Sequence, residues 1–245
     1  MSLKDSTNQV ILNNYKQKGL EHTLVLCSKL LENKSLYREG AGFVLGEIAE
    51  SVLEVLLIDY IRTRNLKDWF YVKGMIIKDV ETMNRDFSTE IDLVLFSPQR
   101  IYLFECKGYV GSKTLTGKGV LERTGKNKVK FDVFSQHKNH ATVFMKMFNP
   151  FILKDEDPAK CYRLAIFDFS SGKTIDNRDE KWKKIMPIIG PEDVFPMLDK
   201  SLDKRRKWNM EYVKKAVQII ERNKTSATNN HIKYVRDLDK RRGKK

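Results

Sequence analysis

The sequence predicts an α/β fold, a mixed central β-sheet flanked by helices, with a helical extension at the C-terminal end. Three observations predict it. The apolar period is helical up to about residue 64, strand-like from about 70 to 107, and helical again from about 133. Two strongly apolar segments, EIDLVLF and RIYLFECK, are separated only by Ser97-Pro98-Gln99, as in a hairpin. A further strand-like segment, RLAIFDF, lies beyond a helix, so strands and helices alternate along the chain.

Each element has its own grounds. Apolar positions such as Val10, Ile11, Leu24 and Leu30 mark a helix from about Asp5 to Leu31, and Asn33–Gly42 is a polar break containing glycine. From Gly42 to Arg64, Val44, Ile48, Val52, Val55, Leu56 and Ile58 recur at helical spacing. Phe70–Val80 is rich in β-formers, and Glu90–Phe96 with Arg100–Lys107 forms the expected hairpin. The run Gly108–Lys130 is rich in glycine and lysine. Leu115–Glu122 and Val129–Val133 are expected there as a second hairpin around Thr124-Gly125-Lys126-Asn127. A helix over Val133–Phe148 should stop at Asn149-Pro150. Strands follow at Arg163–Phe169 and Ile185–Ile189, then helices at Pro191–Leu202 and Lys207–Arg222. Residues 223–230 read as a polar linker and 231–245 as a basic tail. The expected organisation is a helical segment over 1–39, an α/β core over 40–190 and a basic helical extension over 191–245.

Composition narrows the function classes. With 41% hydrophobic residues in 245, the chain can build a real core. The formal charge is +14, and ten units of that surplus fall in Ser201–Lys245, where 15 Lys and Arg face five Asp and Glu. Such a tail suits a polyanion, nucleic acid first, or keeps a solvated helix soluble. Cys27, Cys106 and Cys161 are far apart, so neither a disulfide framework nor a CxxC knuckle is visible, which fits a reducing, cytoplasmic setting. The first ten residues show no apolar leader and no segment is long enough to span a bilayer, so no membrane role is expected.

The hairpin carries the chemistry. Side chains alternate along a strand, so Ile101, Leu103, Glu105 and Lys107 share one face, and Glu90, Asp92 and Val94 are expected to share another. Antiparallel pairing can set Asp92 beside Glu105, with Cβ atoms about 5 Å apart. Two carboxylates that close stay ionised only with a compensating cation. Lys107 supplies one charge, and a divalent ion with a taste for oxygen, magnesium above all, would supply more. Such a pair can activate water and stabilise charge on a phosphate, with Lys107 orienting the water or neutralising the phosphate. The alternative is a polar strand end closed by a salt bridge. Glu47, Glu50 and Glu54 fall on one helix face. The last two read as a solvated face, whereas Gly46 beside Glu47 would allow close approach to the sheet. Gln136 and His140, one turn apart, read equally as a polar helix face or as part of a site. His137 and His140 lack a neighbouring cysteine and do not read as a zinc pair. Lys113, Lys118, Arg123, Lys126, Lys128 and Lys130 follow the site closely and would clamp a phosphate backbone.

The pieces GFVLGEIAE, TEIDLVLF, IYLFECKGYVG and SQHKNHATVFMKMF occur in that order between about Gly40 and Phe148. In that order they resemble the nuclease-related domain family, NERD, a branch of the PD-(D/E)xK superfamily with a restriction-endonuclease-like core. The resemblance implies a metal-binding pair in Asp92 and Glu105, a catalytic lysine in Lys107, an acidic helix residue facing the metal in Glu47, and a helix glutamine lining the same site in Gln136. The long basic run after Gly108 departs from the pattern, and the C-terminal half has no counterpart in it. The expected activity is hydrolysis of DNA phosphodiester bonds with Mg2+ or Mn2+ and little sequence specificity, with RNA left open as a substrate. The alternative is an inactive module on the same fold that binds nucleic acid or protein. The oligomeric state is not legible.

Overall fold

The structure is a computed structural model that describes residues 3–33, 41–78, 88–123, 130–152, 158–202, 204–205 and 208–222. The expected polar linker and basic tail, and the tip of the expected second hairpin at 124–129, lie outside the described residues. Helices α1 (Leu3–Glu32) and α2 (Ala41–Thr63) come first, followed by strands β1 (Phe70–Lys78), β2 (Ser88–Phe96) and β3 (Ile101–Lys107). Then come β4 (Lys113–Leu115), β5 (Leu121–Arg123), β6 (Lys130–Phe131) and helix α3 (Val133–Ile152). The chain continues through α4 (Pro158–Cys161), β7 (Tyr162–Asp168), β8 (Thr174–Asp176), α5 (Glu180–Ile185), β9 (Ile188–Ile189), α6 (Pro191–Leu202) and α7 (Met210–Arg222).

The main sheet has the order β1-β2-β3-β7-β9. Its first three strands are antiparallel and its last three parallel, which makes it mixed as expected. β3 is central and reads as a continuous apolar run because helices cover both its faces. Tyr102, Phe104 and Cys106 enter the core under α2, while Ile101 and Leu103 enter the core under α3. α2 lies between the sheet and α1, which explains why Ile48, Ala49, Val52, Leu53, Val55, Leu56 and Leu57 are buried almost all round it. α6 joins the α2 side through Val194 and Leu198, and α7 joins the α3 side through Met210, Val213 and Val217. α1 is broken at Gly19, whose φ of 80° suits glycine, and Thr23 Oγ1 donates to the Gly19 carbonyl at 2.8 Å.

Several boundaries differ from expectation. A small second sheet, β6-β5-β4-β8, replaces the single second hairpin: the chain turns first at Thr116–Val120, and β8 adds in parallel to β4. The strand expected over Ile185–Ile189 is confined to Ile188–Ile189, because Ile185 still closes the short helix α5, which Asp179 caps. α3 runs on to Ile152.

The most consequential difference lies in β1 and β2. Their register passes from Lys73↔Leu93 to Met75↔Ile91, skipping Gly74 and Asp92. Leu93 packs under α2 but Ile91 packs under α3, although residues two apart in a strand ordinarily share a face. The alternation therefore inverts at Asp92. Glu90 and Val94 do not share a face, contrary to the expectation from alternation. Gly74, opposite the break, has φ 61°, a conformation that favours glycine. β2 also parts from β3 here, because their pairing ends at Leu93↔Phe104.

The sheet and α2 approach most closely at Gly108. A Cβ on Gly108 would lie 2.1 Å from the Leu45 carbonyl oxygen, whereas a Cβ on Gly46 would meet nothing within 4 Å. Close approach thus belongs to Gly108, and not to Gly46 as expected. Gly108→Ala should destabilise the protein by about 1–3 kcal/mol through backbone displacement. Gly46→Ala should be neutral or stabilising by up to about 1 kcal/mol, because alanine favours the helix. Urea unfolding of the two variants checks the contrast.

Candidate active site at the strand ends

The break at Asp92 turns its carboxylate into the gap that opens between β2 and β3. Asp92 Oδ2 accepts the backbone N–H of Cys106 at 2.7 Å, so a side chain replaces the strand partner lost there. Glu105, the next position on the same face as Leu103, is fully buried. Its Oε1 accepts from Lys107 Nζ at 2.5 Å. Its Oε2 lies 3.2 Å from His140 Nδ1 and 3.9 Å from His137 Nδ1. Both histidines come from α3, on the side where its buried face continues through Ala141 and Phe144. His137 Nε2 is 3.1 Å from the Leu103 carbonyl oxygen.

The two carboxyls are driven apart in pKa. Asp92 is raised well above the usual carboxylate range, by burial first and then by the charge of Glu105. Burial, the largest influence, pushes Glu105 up as well, but Lys107 and the two histidines together outweigh it, and the carboxyl is held below its ordinary range. Burial works against the Lys107 ammonium, yet Glu105 and Asp92 together raise its pKa. Burial lowers His137 to about 4, so its ring is neutral at pH 7. A pair of acids split in this way is the pattern of a site that separates acid from base roles or holds a cation.

A second charged cluster sits under α2. Lys73, whose side chain points toward α2 just before the β1 break, lies 3.0 Å from Glu47, 3.7 Å from Glu50 and 3.5 Å from Glu54. Tyr71 donates its hydroxyl to Glu54 at 3.0 Å. Glu54 is buried and Glu50 largely so, which corrects their reading as a solvated face: the period of α2 was right, but α2 is covered by the sheet on that side. Glu47 is buried in this cluster, and Glu50 is the α2 acid whose charge raises Asp92.

Of the other expected residues, Gln136 is exposed while its neighbour His137 is buried against Glu105. Lys113 is buried and paired with Asp168 at 3.0 Å, so it is not on a phosphate-gripping surface; the strand pairing of β4 with β8 draws it inward. Lys118 is exposed in the β4–β5 turn. The side chains of Arg123 and Lys130, and the whole of Lys126 and Lys128, lie outside the described residues. Sequence reasoning missed Lys73 and Asp168, left His140 open between a polar helix face and a site, and set His137 and His140 aside as a zinc pair. Asp168 ends β7 beside Lys107 in register, and accepts from Ser170 and Thr174. The signal for Asp168 was available, since an acid ending the buried run RLAIFDF mirrors the end of β3.

A mixed sheet between helical layers, with buried acids and a lysine gathered at strand ends, defines a nuclease-like α/β core. Residues 49–167 match the family model described as NERD, nuclease-related domain. Placement of the chain in the PD-(D/E)xK superfamily is consistent with the match. The matched stretch contains Asp92, Glu105, Lys107 and the two histidines, and begins after Glu47. No curated protein and no solved structure matches the chain. Among the described residues no helix is long and apolar enough to cross a membrane.

The raised pKa of Asp92 has a thermodynamic sign. A carboxyl whose folded value exceeds its unfolded value stabilises fully below about pH 3.9, and that contribution is lost as pH rises through the folded value. Asp92→Asn removes the loss and keeps an acceptor for the Cys106 N–H. In the presence of a chelator, the variant should therefore be more stable than the parent at pH 8, by an amount on the order of 1 kcal/mol, with the gap closing toward pH 4. Urea unfolding at both pH values measures it.

Proposed function

We propose that the chain hydrolyses phosphodiester bonds of DNA with a divalent cation, Mg2+ or Mn2+, held by Asp92 and Glu105. The observation that carries the reading is the buried pair of acids, Asp92 at the break in β2 and Glu105 near the end of β3, driven apart in pKa, with the Lys107 ammonium on Glu105. The donor set fits a hard cation. Both ligands are carboxylates, and with Lys107 on Oε1 Glu105 still presents a buried Oε2, 3.2 Å from His140 Nδ1. Such an ion, when bound, polarises a phosphoryl oxygen and makes a nucleophile of water at neutral pH.

The chain's own residues prepare the rest. Lys107 stays protonated and is fixed on Glu105, from where it can hold an attacking water or neutralise charge on the phosphate. Glu105 stays ionised at neutral pH and so retains an oxygen for the cation. A cation beside Glu105 would offset the charge that raises Asp92 and so would favour its carboxylate form. The Cys106 N–H orients Asp92 toward the gap between the strands. Glu47 and Glu50, on the α2 side, extend the negative field behind Asp92 and would act through water. Exposed Lys118 and the cationic C-terminal residues supply backbone contacts that carry no base preference. The setting consistent with free buried cysteines is the cytoplasm.

Purified protein should relax supercoiled plasmid in Mg2+ or Mn2+, and not in a chelator. Lys107→Ala and Glu105→Gln should each slow cleavage by at least about 100-fold. Cleavage undiminished in both variants would exclude this site as its source. Salt-sensitive DNA binding with no cleavage in either metal would leave a binding module on a nuclease fold.

A further inference from the structure

The two histidines of α3 do not belong to the carboxylate chemistry just described. His137 and His140 are one turn apart, so both rings project from the same helix face toward the end of β3. His137 Nε2 faces the Leu103 carbonyl oxygen, which only accepts, so that nitrogen carries the proton and donates. Its Nδ1 is then left with a lone pair. This is the arrangement by which backbone carbonyls set the tautomer of metal-binding histidines. The lone pair points at Glu105 Oε2, which is itself an acceptor. His137 Nδ1, His140 Nδ1 and Glu105 Oε2 are all buried, one ligand atom from each of these residues lies within 4.8 Å of the others, and His140 Nδ1 approaches Glu105 Oε2 to 3.2 Å. His137 Nδ1 and Glu105 Oε2 are both acceptors, and a proton on His140 Nδ1 or a cation among the three must meet them, since each unmet buried group costs about 1–3 kcal/mol.

The distances suit a cation. Ligand atoms around a tetrahedral zinc-class ion, bonded at about 2.0–2.1 Å, stand roughly 3.3 Å apart. The separations of Glu105 Oε2 from His140 and His137 are 3.2 and 3.9 Å, so those two edges close with movements of a few tenths of an ångström, and the ligand atoms of the set lie within 4.8 Å of one another. Two imidazoles and one carboxylate favour zinc-class ions over magnesium, and three protein ligands leave a fourth position open. Lys107 occupies only Glu105 Oε1, so the same carboxylate can serve the ammonium on one oxygen and an ion on the other.

We propose that Glu105 Oε2, His137 Nδ1 and His140 Nδ1 form a binding site for a divalent transition ion of the zinc class, distinct from the Asp92–Glu105 pair and sharing Glu105 with it. The site stands on its own donor atoms and does not rest on phosphodiester hydrolysis. Its rival is a charged pair between protonated His140 and Glu105, with no ion.

Cobalt(II) is the probe, because imidazole ligation in a low-symmetry site gives visible absorption that needs no substrate. Titration of the full chain with Co2+ should give a one-to-one visible spectrum that Zn2+ abolishes and millimolar Mg2+ does not. His140→Ala, at the more accessible position, should weaken Co2+ binding by at least about 10-fold while circular dichroism confirms the fold. Asp92→Asn should retain the spectrum. A folded protein without the spectrum overturns the site, as does a spectrum unaffected by His140→Ala or one lost in Asp92→Asn. Since none of these readouts involves cleavage, an inactive protein that binds Co2+ through His140 would sink the nuclease reading alone.

Discussion

Asp92, at the break in β2, and Glu105, near the end of β3, are neighbours in the interior, and each raises the cost of ionising the other. In water this repulsion would be slight; in a buried gap it governs everything placed around it. Lys107 is drawn onto Glu105 and holds it ionised. Asp92, left with the smaller share of the positive charge, is steadied by the Cys106 N–H and pushed toward its protonated form. A site so arranged is short of positive charge at neutral pH. That shortage is what makes two acids inside one domain a fit for the proposed cation.

The scaffold delivers these groups from both faces of one sheet. Under α2, Lys73 gathers Glu47, Glu50 and Glu54. Under α3, His137 and His140 approach Glu105. β3 passes between the layers, so its alternation sends Glu105 to one side and Cys106 to the other. Gly108 then lets the chain leave β3 against the backbone of α2, which keeps the strand end close to the helix that carries the acids. The inverted alternation at Gly74 and Asp92 opens β2 from β3 where the carboxylate must enter.

Much of this was legible in one dimension. The helices α2, α3, α6 and α7 were readable from apolar spacing, and β2 and β3 from two apolar runs with a short turn between them. Glu105 and Lys107 stood out because charge at the end of a buried strand needs a reason. Less was legible where a residue's face depends on its partner. Glu50 and Glu54 looked solvated because helical spacing says which residues align, and not what covers them. Lys113 looked like a phosphate clamp because its basic neighbours hide that β8, some sixty residues on, would pair with β4 and bury it.

The sequence by itself determined the class of fold and the core of the candidate site, because strand period, turn residues and buried charge are local signals carried by consecutive residues. Only the tertiary structure decided which charges meet. The break at Asp92, the Lys73 cluster, the Asp168–Lys113 pair and the two histidines on Glu105 all join residues far apart in the chain. Their energies arise from burial and mutual field, and those quantities exist only once the layers have closed around the sheet.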